Sequence, residues 1–252
     1  MSFAARLKRT RQKRNDDWWS IVLGGPIAQV LAALLADVRF VTPNRVTWLA
    51  FLFKLACAPL IFVGTWTADL TAVVLMQANV VLDCLDGVLA RYRKAGSATG
   101  AFLDKVTDAV GLLFLCGAFS LRLYRDTGDG LGALVLAAGC GLFLVRIYAY
   151  WVVAFIEKDK GAPKPTITAD IRKEFGELTF GERLAYYAAS TWRIVLFAEA
   201  DVYFWLALAL LTGWLRPIAW GVGLGLGLWS SGILIYRYVT VLRLDAWARA
   251  KT

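Results

Sequence analysis

The sequence predicts an all-α integral membrane protein of six transmembrane helices, preceded by an N-terminal amphipathic helix lying in the membrane interface. Three observations predict it. The 252 residues are 59% hydrophobic, with a mean hydropathy of +0.57. Several apolar stretches reach the roughly 20 residues that a helix needs to cross the hydrocarbon layer. The basic residues gather at the ends of those stretches, so positive-inside orientation and anionic lipid account for the net charge of +9, and no nucleic-acid partner is expected.

The elements follow in order. Arg6 to Arg14 holds six basic residues. Trp18 to Ala36 is apolar and long enough to span, but Gly24-Gly25-Pro26 interrupts it. A crossing there would also put the basic tail opposite the other basic loops. It is read as an interfacial helix with Trp18 and Trp19 at headgroup level. The tail ahead of it lacks the short apolar core and small-residue cleavage site of a signal peptide. Residues 1–45 thus form tail and interfacial helix, and 46–252 the bundle. Spans are expected at 46–64, 70–91, 100–121, 131–156, 194–213 and 217–240. The connection after the second span carries Arg91, Arg93 and Lys94, and 157–190 carries several more basic residues, whereas 65–69 has none and 214–216 only Arg216. The 122–130 turn balances Arg122 and Arg125 against Asp126 and Asp129. Both termini and the two basic loops therefore face the cytoplasm.

Two pairs of aspartates interrupt this apolar pattern: Asp83-x2-Asp86-Gly87-x2-Ala90-Arg91, then eight residues, then Gly100-x3-Asp104-x3-Asp108. A charged side chain at membrane depth costs about 2.5–3.5 kcal/mol even on lenient scales, so four of them require a polar cavity, an ion or a substrate. Positions three or four apart share a helix face. If Arg91 and Gly100 mark the facing ends of antiparallel helices, Asp86 and Asp104 lie about 6–8 Å below those ends, and Asp83 and Asp108 about 12 Å below. The four carboxylates meet level by level, as a metal site requires. Histidine is absent, which excludes catalytic His and His-ligated zinc or haem. Cys57, Cys84, Cys116 and Cys140 lack metal-ligand spacing and are read as reduced packing residues.

The pattern from Asp83 to Asp108 resembles, at every defined position, the signature of the CDP-alcohol phosphotransferase (phosphatidyltransferase) family. The match covers 26 residues, and the six-helix topology and the Pro43-Asn44-x2-Thr47 entry to the first span extend the likeness. The resemblance implies that Asp83, Asp86 and Asp104 hold two divalent cations and that Asp108 is the general base; alternatively Asp108 completes the metal site. Hard carboxylate oxygens suit Mg²⁺ or Mn²⁺. The implied reaction is attack of an acceptor hydroxyl on the β-phosphorus of a CDP-alcohol such as CDP-diacylglycerol, with CMP leaving. It also implies a cytidine nucleotide against Gly87, Ala90 and Gly100, and a homodimer. Choice of acceptor, lipid or polar alcohol, lies outside the shared motif.

Other residues have readings of their own. Arg91 holds phosphate or fixes the 92–99 loop. Asn44 and Thr47 either meet the nucleotide or form an ordinary helix start. Arg146, too deep to snorkel, is read as an anion site for a phosphorylated acceptor or a lipid phosphate, with a local ion pair as the alternative. Lys54, Lys105, Arg193, Glu199, Asp201 and Arg237 are weaker candidates; Glu199 and Asp201 alternatively cap a helix that starts later than residue 194. Gly221, Gly223, Gly225 and Gly227 are assigned to helix packing. The polar 157–190 segment is either a cover over the site or a solvated connector. Two further classes stay open: an intramembrane Mg²⁺-dependent prenyltransferase, whose acidic motifs lie in distant halves of the bundle, and a cation transporter, which needs polar residues continuing through the opposite half.

Overall fold

A computed structural model of the chain describes residues 2–10, 17–159 and 180–249. Among these, the helices are α1 (Phe3–Arg9), α2 (Gly25–Leu35), α3 (Pro43–Val63), α4 (Trp66–Tyr92), α5 (Ala98–Thr127), α6 (Gly130–Asp159), α7 (Phe180–Ser190), α8 (Glu199–Thr212) and α9 (Leu215–Arg249). Five of them, α3 to α6 and α9, are long and apolar enough to cross a membrane, and the count is six when the bent pair Ala185–Leu196 and Glu199–Thr212 is taken as one span. The protein is an integral membrane protein, as the sequence predicts.

Local chemistry sets the helix ends. Thr42 caps α3 through the Arg45 amide with Pro43 in the first turn, Thr65 caps α4 through Ala68, and Ser97 caps α5 through Gly100. The turns at the far end from the aspartates close on Gly64, Gly128 and Gly213, whose φ values of 75°, 68° and 74° favour glycine. There, Arg122 makes a buried bidentate ion pair with Asp69 and reaches Asp126 at 3.2 Å. Asp129 accepts from the Gly132 amide at 2.8 Å and the Trp220 indole at 2.9 Å, tying the start of α6 to α9.

The main core is shared by α3 to α6, α8 and α9, with Ile61, Met76, Leu115, Phe119, Leu136 and Leu206 at its centre. Small residues set the closest approaches, as expected where lipid offers apolar surface equal to any helix. A Cβ on Gly139 of α6 would stand 2.3 Å from the Gly223 carbonyl oxygen of α9. The packing role expected for Gly223 and Gly225 holds, since their missing side chains face Leu136 and Phe197; Gly221 has open space around it.

Two expectations are corrected. The glycine-proline run does not break the N-terminal helix: a π-helical turn, Ser20–Gly24, leads directly into α2 with Pro26 in its first turn, where the missing amide is tolerated, and a bare Gly24 passes close to Val80 and Cys84 of α4. Trp19 is anchored to the bundle: its indole donates to Gln77 at 2.6 Å, its amide to Asp201 at 2.9 Å, and Trp18 and Trp19 pack on Phe204. The fifth span does not run straight through 194–213. Segments Ala185–Leu196 and Glu199–Thr212 meet at 78°, with Phe197 at φ 49°, so α8 starts late, on the acidic first turn of Glu199 and Asp201. All four cysteines are free. The cover expected at 157–190 falls largely on 160–179, outside the described residues, as does 11–16 of the basic tail.

Candidate active site

The signature occupies the last turns of α4 and the first turns of α5, two antiparallel helices joined by the short 93–97 turn. Arg93 fixes that junction, its guanidinium donating to the carbonyls of Leu35 (2.9 Å), Ala36 (3.1 Å), Val38 (3.0 Å) and Val41. The end of α2, the entry to α3 and the end of α4 are thereby one unit.

Between the two helices the carboxylate oxygens of Asp83, Asp104 and Asp108 all lie within 4.8 Å of one another. Asp86 stands beside this trio and not in it: its Oδ2 accepts from the Thr47 hydroxyl, and with Asp104 it lines a cavity of about 230 Å³. Asn44, Thr47, Gly87, Ala90 and Gly100 also line it, so these residues singled out around the motif share one space; Arg91 is not among its lining residues. The small residues have visible reasons. Gly100 lets α3 meet α5, since a Cβ there would stand 3.0 Å from Asn44 Oδ1, and Arg91 folds back to 3.2 Å from where a Gly87 Cβ would be.

A second cavity, of about 310 Å³, has Asp108 in its wall. Lys105, Arg146, Tyr150, Glu199 and Arg237 line it. Arg146 stacks on Phe143 at 4.3 Å and Arg237 lies 5.0 Å over the Tyr150 ring, arrangements that orient two guanidinium groups while leaving hydrogen-bonding edges for an anion. Arg146 thus shares a cavity with Asp108, and Arg237 joins it from α9, fourteen residues beyond the Gly223 crossing.

Sequence reasoning gave too little weight to a group behind Asp108. Lys54 of α3 places its amine 2.7 Å from Asp108 Oδ1 and 3.0 Å from Glu199 Oε1, and the Tyr203 hydroxyl donates to Glu199 at 2.6 Å. Lys105 bridges Asp104 at 2.7 Å and Asp108 at 3.5 Å. The available signals were a lysine in the middle of an apolar helix and two acids following a bulky Phe197; neither shows in spacing, because the partners lie 145 residues apart.

Chemically, three carboxylates converging at this distance in a sheltered site repel one another unless a cation is shared, and their hard oxygens fit a divalent ion. In the opposite half of the bundle Asp69, Arg122 and Asp126 pair with each other and offer no continuing ion path. The acids also lie on consecutive helices and not in distant halves. Residues 40–224 match the family described as CDP-alcohol phosphatidyltransferase, well over half of the chain. The chain belongs to that family. Its members are transferases of phospholipid biosynthesis, generally metal-dependent. The chain is also similar to the Arabidopsis thaliana CDP-diacylglycerol--glycerol-3-phosphate 3-phosphatidyltransferase 1, chloroplastic/mitochondrial, with 38% identity over 71 residues. That similarity spans 25% of this chain and 24% of the relative's length.

Proposed function

We propose that this CDP-alcohol phosphatidyltransferase moves a phosphatidyl group from CDP-diacylglycerol to the hydroxyl of a small phosphorylated alcohol, such as glycerol 3-phosphate, and releases CMP. The observation carrying this reading is that the acid trio contributes to two unlike cavities: Asp104, with Asp86, lines the small-residue one, and Asp108 lines the one that holds Arg146 and Arg237. The Arabidopsis relative's name, with its glycerol 3-phosphate acceptor, supports the same choice.

In this reading Asp83, Asp86, Asp104 and Asp108 surround one or two Mg²⁺ or Mn²⁺ ions. Bound there, the cations supply charge neutralisation for the diphosphate and for the departing CMP. The chain's own residues do the rest. Gly87, Ala90 and Gly100 leave room for the cytidine nucleotide, with Asn44, Thr47 and Arg91 at its phosphates. Arg146 and Arg237 hold the acceptor phosphate and so orient its hydroxyl. The hydroxyl oxygen bonds to the phosphorus that carries diacylglycerol, the bond from that phosphorus to the CMP oxygen breaks, CMP keeps the electron pair, and Asp108 takes the hydroxyl proton. No covalent enzyme intermediate is required. The basic cluster Arg91, Arg93 and Lys94 at this end supports a cytoplasmic site. Phospholipid contacts around the bundle and a homodimer complete the reading.

The test is CMP release by purified protein in micelles, with CDP-diacylglycerol or CDP-choline offered against a panel of acceptors. Release is expected with CDP-diacylglycerol and a phosphorylated alcohol, to stop on chelation and return with Mg²⁺. Asp86→Asn is expected to abolish it while leaving the protein folded. Turnover of CDP-choline with diacylglycerol alone would refute the phosphatidyl donor, and substantial activity in Asp86→Asn the metal assignment.

A further inference from the structure

We infer that Lys54 is a positioning residue for the transfer step: it fixes Asp108 through Oδ1 and so leaves Oδ2 directed to the acceptor hydroxyl. The inference rests on the proposed role of Asp108 and adds to it residues from three helices outside the signature.

Lys54 lies eleven residues into α3, near the middle of a span, and only 2% of its side chain is exposed. A lysine there normally extends toward an interface. This one turns inward, and α5 is cut away to receive it. A Cβ on Gly111 would stand 2.4 Å from Lys54 Cδ and 3.1 Å from its Cβ, so the aliphatic stem lies on bare backbone three residues past Asp108, on the same helix face. The amine then meets Asp108 Oδ1 at 2.7 Å and Glu199 Oε1 at 3.0 Å. Glu199 is the first residue of α8, brought into the bundle by the 78° break, and its Oε1 also accepts from Tyr203 at 2.6 Å. Tyr203, Glu199, Lys54 and Asp108 thus form a continuous chain across α8, α3 and α5.

The two oxygens of Asp108 are consequently unlike. Oδ1 is held by a buried amine with no freedom to leave. Oδ2 has Lys105 at 3.5 Å, a half-exposed side chain already bound more closely, at 2.7 Å, to Asp104. A carboxylate pinned by one oxygen presents the other in a fixed direction, and Asp108 itself lines the cavity of Arg146 and Arg237. Simple neutralisation of a buried acid would need neither the Gly111 notch nor the Glu199–Tyr203 buttress.

Lys54→Met keeps the length and removes the charge. Expected are a kcat about 10- to 100-fold lower and a KM for the CDP-donor that stays within about twofold. Mn²⁺ affinity, read by paramagnetic resonance on substrate-free protein, should rise several-fold because a cation beside the carboxylates has gone. Gly111→Ala retains every charge but occupies the stem's place, and it should lower kcat in the same way; with Tyr203→Phe it carries the test if Lys54→Met does not fold. Unchanged kcat per folded molecule in these variants would overturn the inference, as would Mn²⁺ affinity and thermal stability falling together. A wild-type protein that binds Mn²⁺ yet releases no CMP from any donor defeats the proposed transfer itself. An active wild type beside an equally active Lys54→Met defeats this inference alone.

Discussion

Replacing Gly139 by alanine tests how the arginine-lined cavity is built. The new methyl would stand 2.3 Å from the Gly223 carbonyl oxygen and 3.0 Å from Gly223 Cα, so it falls about 1 Å short of ordinary contact with backbone that cannot rotate away. Helices α6 and α9 must separate by about that much. Overpacking of this kind costs about 1–3 kcal/mol, against a gain of about 1 kcal/mol from replacing a helical glycine by alanine. The backbone clash places the net loss toward the upper end, about 2 kcal/mol. Gly141, on the same helix with nothing within 4 Å of its position, supplies the control: Gly141→Ala keeps the propensity gain and meets no clash. The two variants should therefore differ by roughly 2–3 kcal/mol. Unfolding in mixed micelles followed by tryptophan fluorescence measures the difference, and Gly139→Ala should also weaken acceptor binding, since α6 carries Arg146 and α9 carries Arg237. Equal unfolding midpoints for the two alanine variants would refute the reasoning.

Three further outcomes are expected. Arg122→Met alone should cost about 3–5 kcal/mol, because it leaves the buried Asp69 without its partner, whereas Asp69→Asn should cost less because Arg122 keeps Asp126 at 3.2 Å; the combined Asp69→Leu, Arg122→Met protein should regain most of the loss in the same unfolding assay. Arg146→Met and Arg237→Met should each raise the KM for a phosphorylated acceptor about tenfold or more, the loss of one charged hydrogen bond, with the CDP-donor KM little changed in steady-state CMP release. The Gly132 amide, the Trp220 indole and Arg216 hold the Asp129 carboxyl below the usual carboxylate range. Its stabilisation is present above the unfolded value of about 3.9 and disappears as pH falls through the lower folded value. The thermal-stability gap between wild type and Asp129→Ala should accordingly be constant near neutrality and close in acid.

How much was legible depended on whether a signal was local. Five spans are fixed by runs of apolar residues, and the Asp83 to Asp108 spacing places three of its four acids within 4.8 Å because both helices obey a regular rise over a short turn. Thr42, Thr65 and Ser97 act as ordinary caps and are recognisable as such. The break at Phe197 was foreshadowed only by the acids after it, since hydropathy averages over a corner. The Lys54–Glu199 pair and the notch at Gly111 were hidden for a different reason: each belongs to a contact between distant segments, and a glycine that yields to a lysine stem looks like any other membrane glycine. The partners of Trp19 were hidden in the same way, since Gln77 and Asp201 lie 58 and 182 residues further along the chain.

The interrupted crossing carries a consequence for traffic of long-chain molecules. Upright, α8 covers only about 21 Å of a hydrocarbon layer about 30 Å thick. On the flank where Glu199 stands, the wall of the protein is therefore low, and the remaining height is fenced by a segment lying across the bundle. In the proposed reaction a gap of that kind would face the lipid and give the acyl-bearing donor a route within the leaflet.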